Sequence, residues 1–389
     1  MNKTELLQTQ LDRVKHRSLI TALLALPTLF IGAFLYPEQF FQAYLVSYLF
    51  WISIVLGCLG ILMLHNLTGG EWGVPIRAIL EAATKTLPLM IILFLPLLAG
   101  MNYLYVWSRP EIAATDELLQ HKQAYLNTNF FFIRSFFYFF IWTTLAHFLN
   151  KWSLQLKKNG KQLSENRLQS LSSLGLIFYV VTGTLAYIDW VMSIDPHWYS
   201  TIYGLLFIVG QILAALAFLV AMMKWLANYP PLSQIVKSQH FHDLGNLILA
   251  FVMLWAYMAF SQYLIIWSGN ITEEIPWYLQ RMQGGWQWTA LFLIIFHFAL
   301  PFLLLLSRTT KKTGKILSRL AIGILFMRLV DLFWTVAPSF SPFDFSLNWI
   351  HIVAPIGLGG LWITFFVKQL KEKLILPNIR SSITLDNEK

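Results

Sequence analysis

Ten mainly apolar stretches follow one another along the 389 residues of this chain, and nearly all of its cations fall between them on alternating sides. A helix needs roughly 20 such residues to cross about 30 Å of hydrocarbon. The stretches lie near 18–36, 40–63, 76–107, 129–150, 171–193, 198–223, 244–267, 286–307, 316–336 and 347–367. With ten spans, 22 of the 28 lysines and arginines share one side: the N-terminal segment, Arg77, the 151–167 and 308–319 loops, Lys224, Lys237 and the tail. The other side receives Arg109, Lys122 and Arg281. One span fewer would swap every later loop across the membrane, so the bias fixes the span count and puts both termini in the cytoplasm. The expected fold is an all-α integral membrane protein of about ten transmembrane helices.

Composition excludes several other classes. At 57% hydrophobic and 12% charged residues the chain is too apolar for a soluble domain of this length. The net charge of +9 sits in short tracts between spans rather than on one continuous face, which selects lipid head groups over nucleic acid. Cys58 is the sole cysteine, so this chain holds no disulfide framework, no CxxCH-attached haem and no cysteine-ligated iron-sulfur cluster. Electrons, if the protein works with them, belong to another subunit. The first span has a basic start but no A-x-A-like site after it, so it is expected to stay in place rather than be cleaved as a signal peptide.

Local motifs are mostly structural. The run 68–73, TGGEWG, is glycine-rich but lacks a following lysine and a preceding strand, so it predicts a tight turn and not a phosphate loop. Pro27, Pro88, Pro96, Pro301 and Pro355 fall inside spans and predict kinks. The polar outer segment 109–129 predicts a docking surface or a surface helix. No GxxxG lies within a span, so helix packing rests on other small residues and on phenylalanine.

Charge inside the spans carries the functional signal. Lys85, Arg134 and Arg328 each fall within an apolar stretch, where an unpaired cation is costly and a partner in the bundle interior is expected. Glu81 lies four residues before Lys85, Asp331 three after Arg328, and Asp189 at a depth similar to Arg134. Histidines add groups that exchange protons near neutral pH. Together they form an inner set (His65, Glu81, Lys85, His147), a mid-depth set (His297, Arg328) and an outer set (Arg134, Asp189, Asp195, His197, Asp331, His351). The densest stretch is 188–200, IDWVMSIDPHWYS. Static ion pairs that fix helix register explain any one pair; a ladder at so many depths points to a proton or ion path. A b-type haem held by two of the histidines is the alternative that residue types allow. Spans two to five and six to nine also echo each other, each ending in an outer aspartate (Asp189, Asp331) after a basic inner loop.

The stretches 65–89 (HNLTGGEWGVPIRAILEAATKTLPL), 125–142 (YLNTNFFFIRSFFYFFIW), 189–200 (DWVMSIDPHWYS), 259–281 (AFSQYLIIWSGNITEEIPWYLQR) and 328–334 (RLVDLFW) resemble the ActF subunit of bacterial alternative complex III. ActF is the second NrfD-like membrane subunit, of the polysulfide-reductase membrane-subunit type, in that quinol-oxidising electron-transfer complex. The resemblance implies a multi-pass protein of the bacterial cytoplasmic membrane. It implies a cytoplasmic segment (1–17), a peripheral first helix (18–39), two four-helix bundles (40–196 and 197–338), and a peripheral last helix with a cytoplasmic tail (339–389). The partners it implies are a sister NrfD-like subunit, multihaem cytochrome c subunits, an iron-sulfur subunit and a terminal oxidase, with the haems and clusters held there. Quinone or lipid is the small molecule this chain itself would hold, and no metal is expected.

Carried onto this sequence, a proton passage would enter at Glu81, Lys85 and His147 and leave the first bundle at Arg134, Asp189, Asp195 and His197. His297, Arg328 and Asp331 would do the same work in the second bundle. Carboxylates and histidines would pass protons, and the arginines would keep the acids charged. Trp190, Trp198, Trp267, Trp286 and Trp288 are expected in the interfacial aromatic belt. The chain is thus expected to anchor redox partners and conduct protons without redox chemistry of its own. A quinone-binding subunit, a purely structural scaffold and a stand-alone transporter are the competing functions.

Overall fold

The computed structural model describes residues 3–159, 162–230 and 232–386, and among them every regular element is helical. Lys161 and Lys389, two of the cations that set the orientation, lie outside the described residues. The long elements are α1 (Lys3–Leu35), α2 (Pro37–Thr68), α3 (Arg77–Thr84), α4 (Leu87–Ala99), α5 (Thr128–Asn159) and α6 (Gln162–Trp190). They continue as α7 (Tyr203–Leu226), α8 (Ser238–Gly269), α9 (Trp286–Leu306), α10 (Gly314–Val336) and α11 (Trp349–Asp386). Nine are by themselves long and apolar enough to cross a membrane. The pair α3–α4, bent by 41° at its break, makes a tenth span among the described residues. The protein is therefore an all-α, multi-pass membrane protein.

The two most deeply buried spans form its centre. In α2 and α7 most side chains face protein on all sides, and the two pack directly on each other at Gly57. A Cβ there would enter the Gln211 carbonyl and come to 2.7 Å from Ala215 Cβ, so only glycine permits the approach. Helices α3, α4 and α6 contact α2, with α5 against α4 and α6, while α8 and α10 contact α7, with α9 against α8 and α10; we call α2–α6 the first bundle and α7–α10 the second. Outside them α1 and α11 run antiparallel along each other, with Gly360 against Ser18 O and Ala22, and Lys371 bonded to Asp12 at 2.7 Å. Nothing in the sequence indicated that these extra helices would pair. The outward face of α1, including Leu23, Leu24, Phe30 and Phe34, is exposed, as a lipid-facing stripe must be.

Breaks in the helices have local causes. Gly69 and Gly70, with φ of 64° and 94°, turn the chain after α2, so the 68–73 motif is the tight turn expected of it. Pro301 lacks an N–H for the His297 carbonyl four residues earlier, and the α9 ladder slips to a π-helical turn over Ile294–Ala299. In the outer segment, short helices form at Pro110–Ala113 and Glu117–Lys122.

Because Gly57 admits no side chain, Gly57→Ala should destabilise the protein by about 1–3 kcal/mol through overpacking of α2 on α7. Gly183→Ala, whose Cβ would meet Ile208 at an ordinary 3.5 Å, should leave the melting midpoint in detergent unchanged.

Candidate functional site

Three buried charge clusters and one large cavity hold the chemistry. At the inner end of the first bundle Glu81 is fully buried. Arg77 approaches it at 3.2 Å and Lys373, from α11, at 2.6 Å; Ser153 also bonds it. Arg77 bonds Asn66 and Ser153 in turn. The expected Glu81–Lys85 pair does not form. The helical turn between them is intact, with the Lys85 N–H on the Glu81 carbonyl, but Glu81 is taken up by Arg77, Lys373 and Ser153, and the Lys85 ammonium lies 3.9 Å from Glu372. His147 likewise points out of the bundle, into a groove between α4 and α5. His65 stays on the turn, with Nε2 3.2 Å from Gly70 O.

At the outer end Asp189 is fully buried between α5 and α6. Arg134 donates to both its oxygens, at 2.8 and 3.1 Å, and the hydroxyls of Tyr125 and Tyr138 donate at 2.9 and 2.7 Å. The guanidinium also stacks 3.9 Å from the Tyr125 ring centre. Four charge-assisted bonds on one carboxylate replace the water it gave up on burial. Between the two clusters the inner face of α5 carries Asn150, bonded to Thr84 at 3.0 Å, and Trp142, bonded to Thr182 at 2.8 Å. Asn150 Oδ1 and the Thr143 hydroxyl are buried without a protein partner. Asn150 and Thr143 are seven residues apart, about 10 Å along a helix, with Leu145, Ala146 and Leu149 between them.

Asp195 and His197 sit outside the bundle on the outer surface. His197 Nε2 contacts Asp116 at 2.9 Å, and Asp116 caps Glu117–Lys122 by accepting from Leu118 and Leu119. His351 is near α10 only through the Phe333 ring, and its Nδ1 accepts from the Asn348 N–H. Neither His197 nor His351 joins Asp189 or Asp331.

In the second bundle Arg328 pairs with Asp331 as the spacing predicted. His297 is fully buried on the π-helical turn, with its ring 4.4 Å from Trp255, and neither nitrogen has a protein partner. Below it, toward the inner side, the bundle is closed by Leu244, Ile248, Val252, Leu305, Leu317, Ala321 and Ile324. Above it opens a cavity of about 810 Å³, lined by apolar and aromatic side chains together with Gln262, Tyr278, Arg281, Arg328 and Asp331. Arg281 was assigned to an outer loop by the sequence, yet it is fully buried. It stacks 3.5 Å over Trp277 and donates to Trp277 O, Thr335 O and Ser339. Three of the residues that line it carry buried donors with no protein partner: Arg281 Nε, Arg328 Nε and Nη2, and Trp334 Nε1.

Sequence reasoning also misplaced three tryptophans. Trp190, Trp198 and Trp286 are core residues, with Trp190 bonded to Ser135 and Trp198 stacked on Trp277; Trp267 and Trp288 alone are exposed. It missed Lys373, Tyr125 and Tyr138 as partners of the buried acids. A scan against models of known protein families and a search of curated proteins both return no match to this chain.

One surface element carries a pH dependence. Bonding from the Leu119 N–H, with smaller help from the His197 ring and the Leu118 N–H, holds the Asp116 carboxyl below the ordinary range against the opposing effect of desolvation. A depressed folded pKa contributes stability above the unfolded value, near 4, that is lost as pH falls through the folded one. Amide-exchange protection at Leu118 and Leu119 should therefore be full at pH 5 and above and decline only below about pH 4. Asp116→Ala should remove it at every pH.

Proposed function

We propose that this chain is an NrfD-like membrane subunit of a respiratory quinol-oxidising complex of the alternative complex III type, in a bacterial cytoplasmic membrane. It anchors redox subunits on its outer face and conducts protons through its first bundle. The observation that carries the proton role is the shared placement of Glu81, Asn150, Trp142, Tyr138 and Asp189 along one seam of α5, with a buried acid at each end. A carboxylate that holds and releases protons needs a hydrogen-bonded route on both sides. The unpartnered Asn150 Oδ1 and Thr143 hydroxyl mark where two to four water molecules complete the roughly 10 Å step. Arg134 sets the resting charge of Asp189, and Arg77 with Lys373 that of Glu81.

Lys85 and His147 have no part in this route, since both leave the bundle. The second bundle does not repeat it either, because the apolar plug below His297 interrupts any inner half. Asp189→Asn keeps the size and two acceptor contacts but cannot carry the proton, and Asn150→Leu dries the step beside it. Both variants should assemble with their partners and lower quinol-driven proton uptake in vesicles by tenfold or more. Undiminished proton movement in Asp189→Asn would refute the route.

A second reading has its own observation, the outer cavity. A quinone presents two carbonyl acceptors on an apolar ring, and among the aromatic walls of the cavity stand Trp334, Arg281 and Arg328, whose N–H groups include donors without a protein partner. The residues present therefore fit such a head group. Arg281 and Trp334 would hold one carbonyl, Arg328 the other, and Asp331 would stand at its edge to accept or return a proton. Bound quinone supplies the redox step; the protein orients it and keeps water out. Trp334→Phe, which removes one donor and keeps the packing, should weaken quinone-analogue binding about fivefold to tenfold without changing assembly. Equal affinity in the variant would remove the quinone from this cavity.

A further inference from the structure

The groove that receives Lys85 and His147 has no role in the proton route or in the outer cavity. Its inner part is a recess of about 450 Å³ lined by Thr84, Lys85, His147, Asn150, Lys151 and Gln155 among others. Thr143 and His147 also line a second recess of about 540 Å³, whose walls are otherwise Ile91, Leu95, Phe136, Phe140 and similar side chains of α4 and α5. The two form one channel on the membrane-facing surface, cationic and polar at the inner end and apolar beyond. The 41° bend between α3 and α4 lies at its inner end, where Thr84, Lys85, Leu87 and Pro88 line it.

We infer that this groove binds one anionic phospholipid of the inner leaflet, with its phosphate between Lys85 and Lys151 and one acyl chain along α5. The charge pattern selects the occupant. Two ammonium groups suit a phosphate, whereas a quinone head group carries no charge to meet them. Glu372 offsets part of the Lys85 charge from the opposite side, and Lys151 stays exposed toward the recess. The apolar recess follows α5 from Phe132 to Phe148, about 24 Å of helix, which exceeds the roughly 15 Å of one leaflet of hydrocarbon and so leaves room for a whole acyl chain. A neighbouring protein helix would have to bring acidic side chains to meet Lys85 and Lys151. The site borders the proposed proton route at Thr143 and Asn150, but its test reads neither proton movement nor redox activity.

The full chain, purified with the subunits that accompany it and stripped of lipid, is titrated with phosphatidylglycerol while its melting midpoint is followed. Phosphatidylglycerol should raise the midpoint and phosphatidylcholine should not. The double variant K85Q/K151Q should need roughly tenfold more phosphatidylglycerol for the same rise, since each basic group near a lipid head contributes several-fold in affinity. K312Q/K315Q, which removes two exposed cations from the inner loop before α10, should titrate like the parent. Thr144→Trp leaves both lysines in place and fills the apolar recess, and it should weaken the same titration. Equal losses in both lysine pairs would reduce the effect to general surface charge. An unchanged Thr144→Trp would remove the acyl chain from the groove. Inorganic phosphate reproducing the rise by itself would make this an ion site, and a partner subunit that protects Lys85 and Lys151 from lysine-directed labelling in the lipid-stripped assembly would assign the groove to protein.

Discussion

A carboxylate carried into hydrocarbon must bring its own solvation, and the arrangement of this protein follows from where that solvation was found. Asp189 takes it from Arg134, Tyr125 and Tyr138 of α5 and the segment before it, which locks α5 against α6 at one register. Glu81 takes it from Arg77 on its own helix and from Lys373 on α11. That last bond ties the end of the chain to the first bundle. The antiparallel packing of α1 along α11 then comes with it, since small residues such as Gly360 let the two backbones close. Removing one partner from such a cluster strands a buried charge, so these contacts specify helix positions more than they add net stability.

The two bundles answer the same constraint differently. In the first, polar side chains continue along α5 between the acids, so the interior can hold a few waters. In the second, the acid and its arginine sit at the floor of a wide cavity, and the volume below is filled with leucine, isoleucine and alanine. Pro301 sharpens the difference. By forcing the π-helical turn it rotates His297 inward against Trp255, at the boundary between the cavity and the plug. A histidine there is screened from the inner side and lies within electrostatic reach of Arg328.

The helical, multi-pass architecture was legible because hydropathy and the alternation of cations are properties of contiguous sequence. So were the Arg328–Asp331 pair, one turn apart, and the Arg134–Asp189 pair, whose depths follow from topology. Pairings between distant segments were not legible. Glu81 and Lys373 are 292 residues apart, and no local signal separates Lys373 from the other tail cations. Lys85 misled for the opposite reason: the four-residue spacing to Glu81 is helical, yet distant Lys373 and Ser153 join Arg77 on Glu81 and leave Lys85 to Glu372. Arg281 read as a loop cation because its short helix, Pro276–Arg281, is too brief to show a period. Trp190, Trp198 and Trp286 looked like belt residues from their positions near span ends, yet tertiary packing drew them into aromatic clusters.

Arg281 sets the character of the outer cavity. Among the described residues no carboxylate pairs with it, and its charge is spread over the Trp277 face and two carbonyls. With Arg328 it gives the chamber two guanidinium groups against one acid, Asp331. A field of that sign favours ligands that present oxygen acceptors and disfavours cations. The aromatic walls exclude water that could otherwise screen it. The cavity is therefore selective before any shape is considered, and its selectivity is opposite to that of the acid-lined seam in the first bundle. One chain thus holds a seam of buried acids on one side of the α2–α7 contact and a cation-rich chamber on the other, and that contact is close enough for Gly57 to touch the Gln211 backbone.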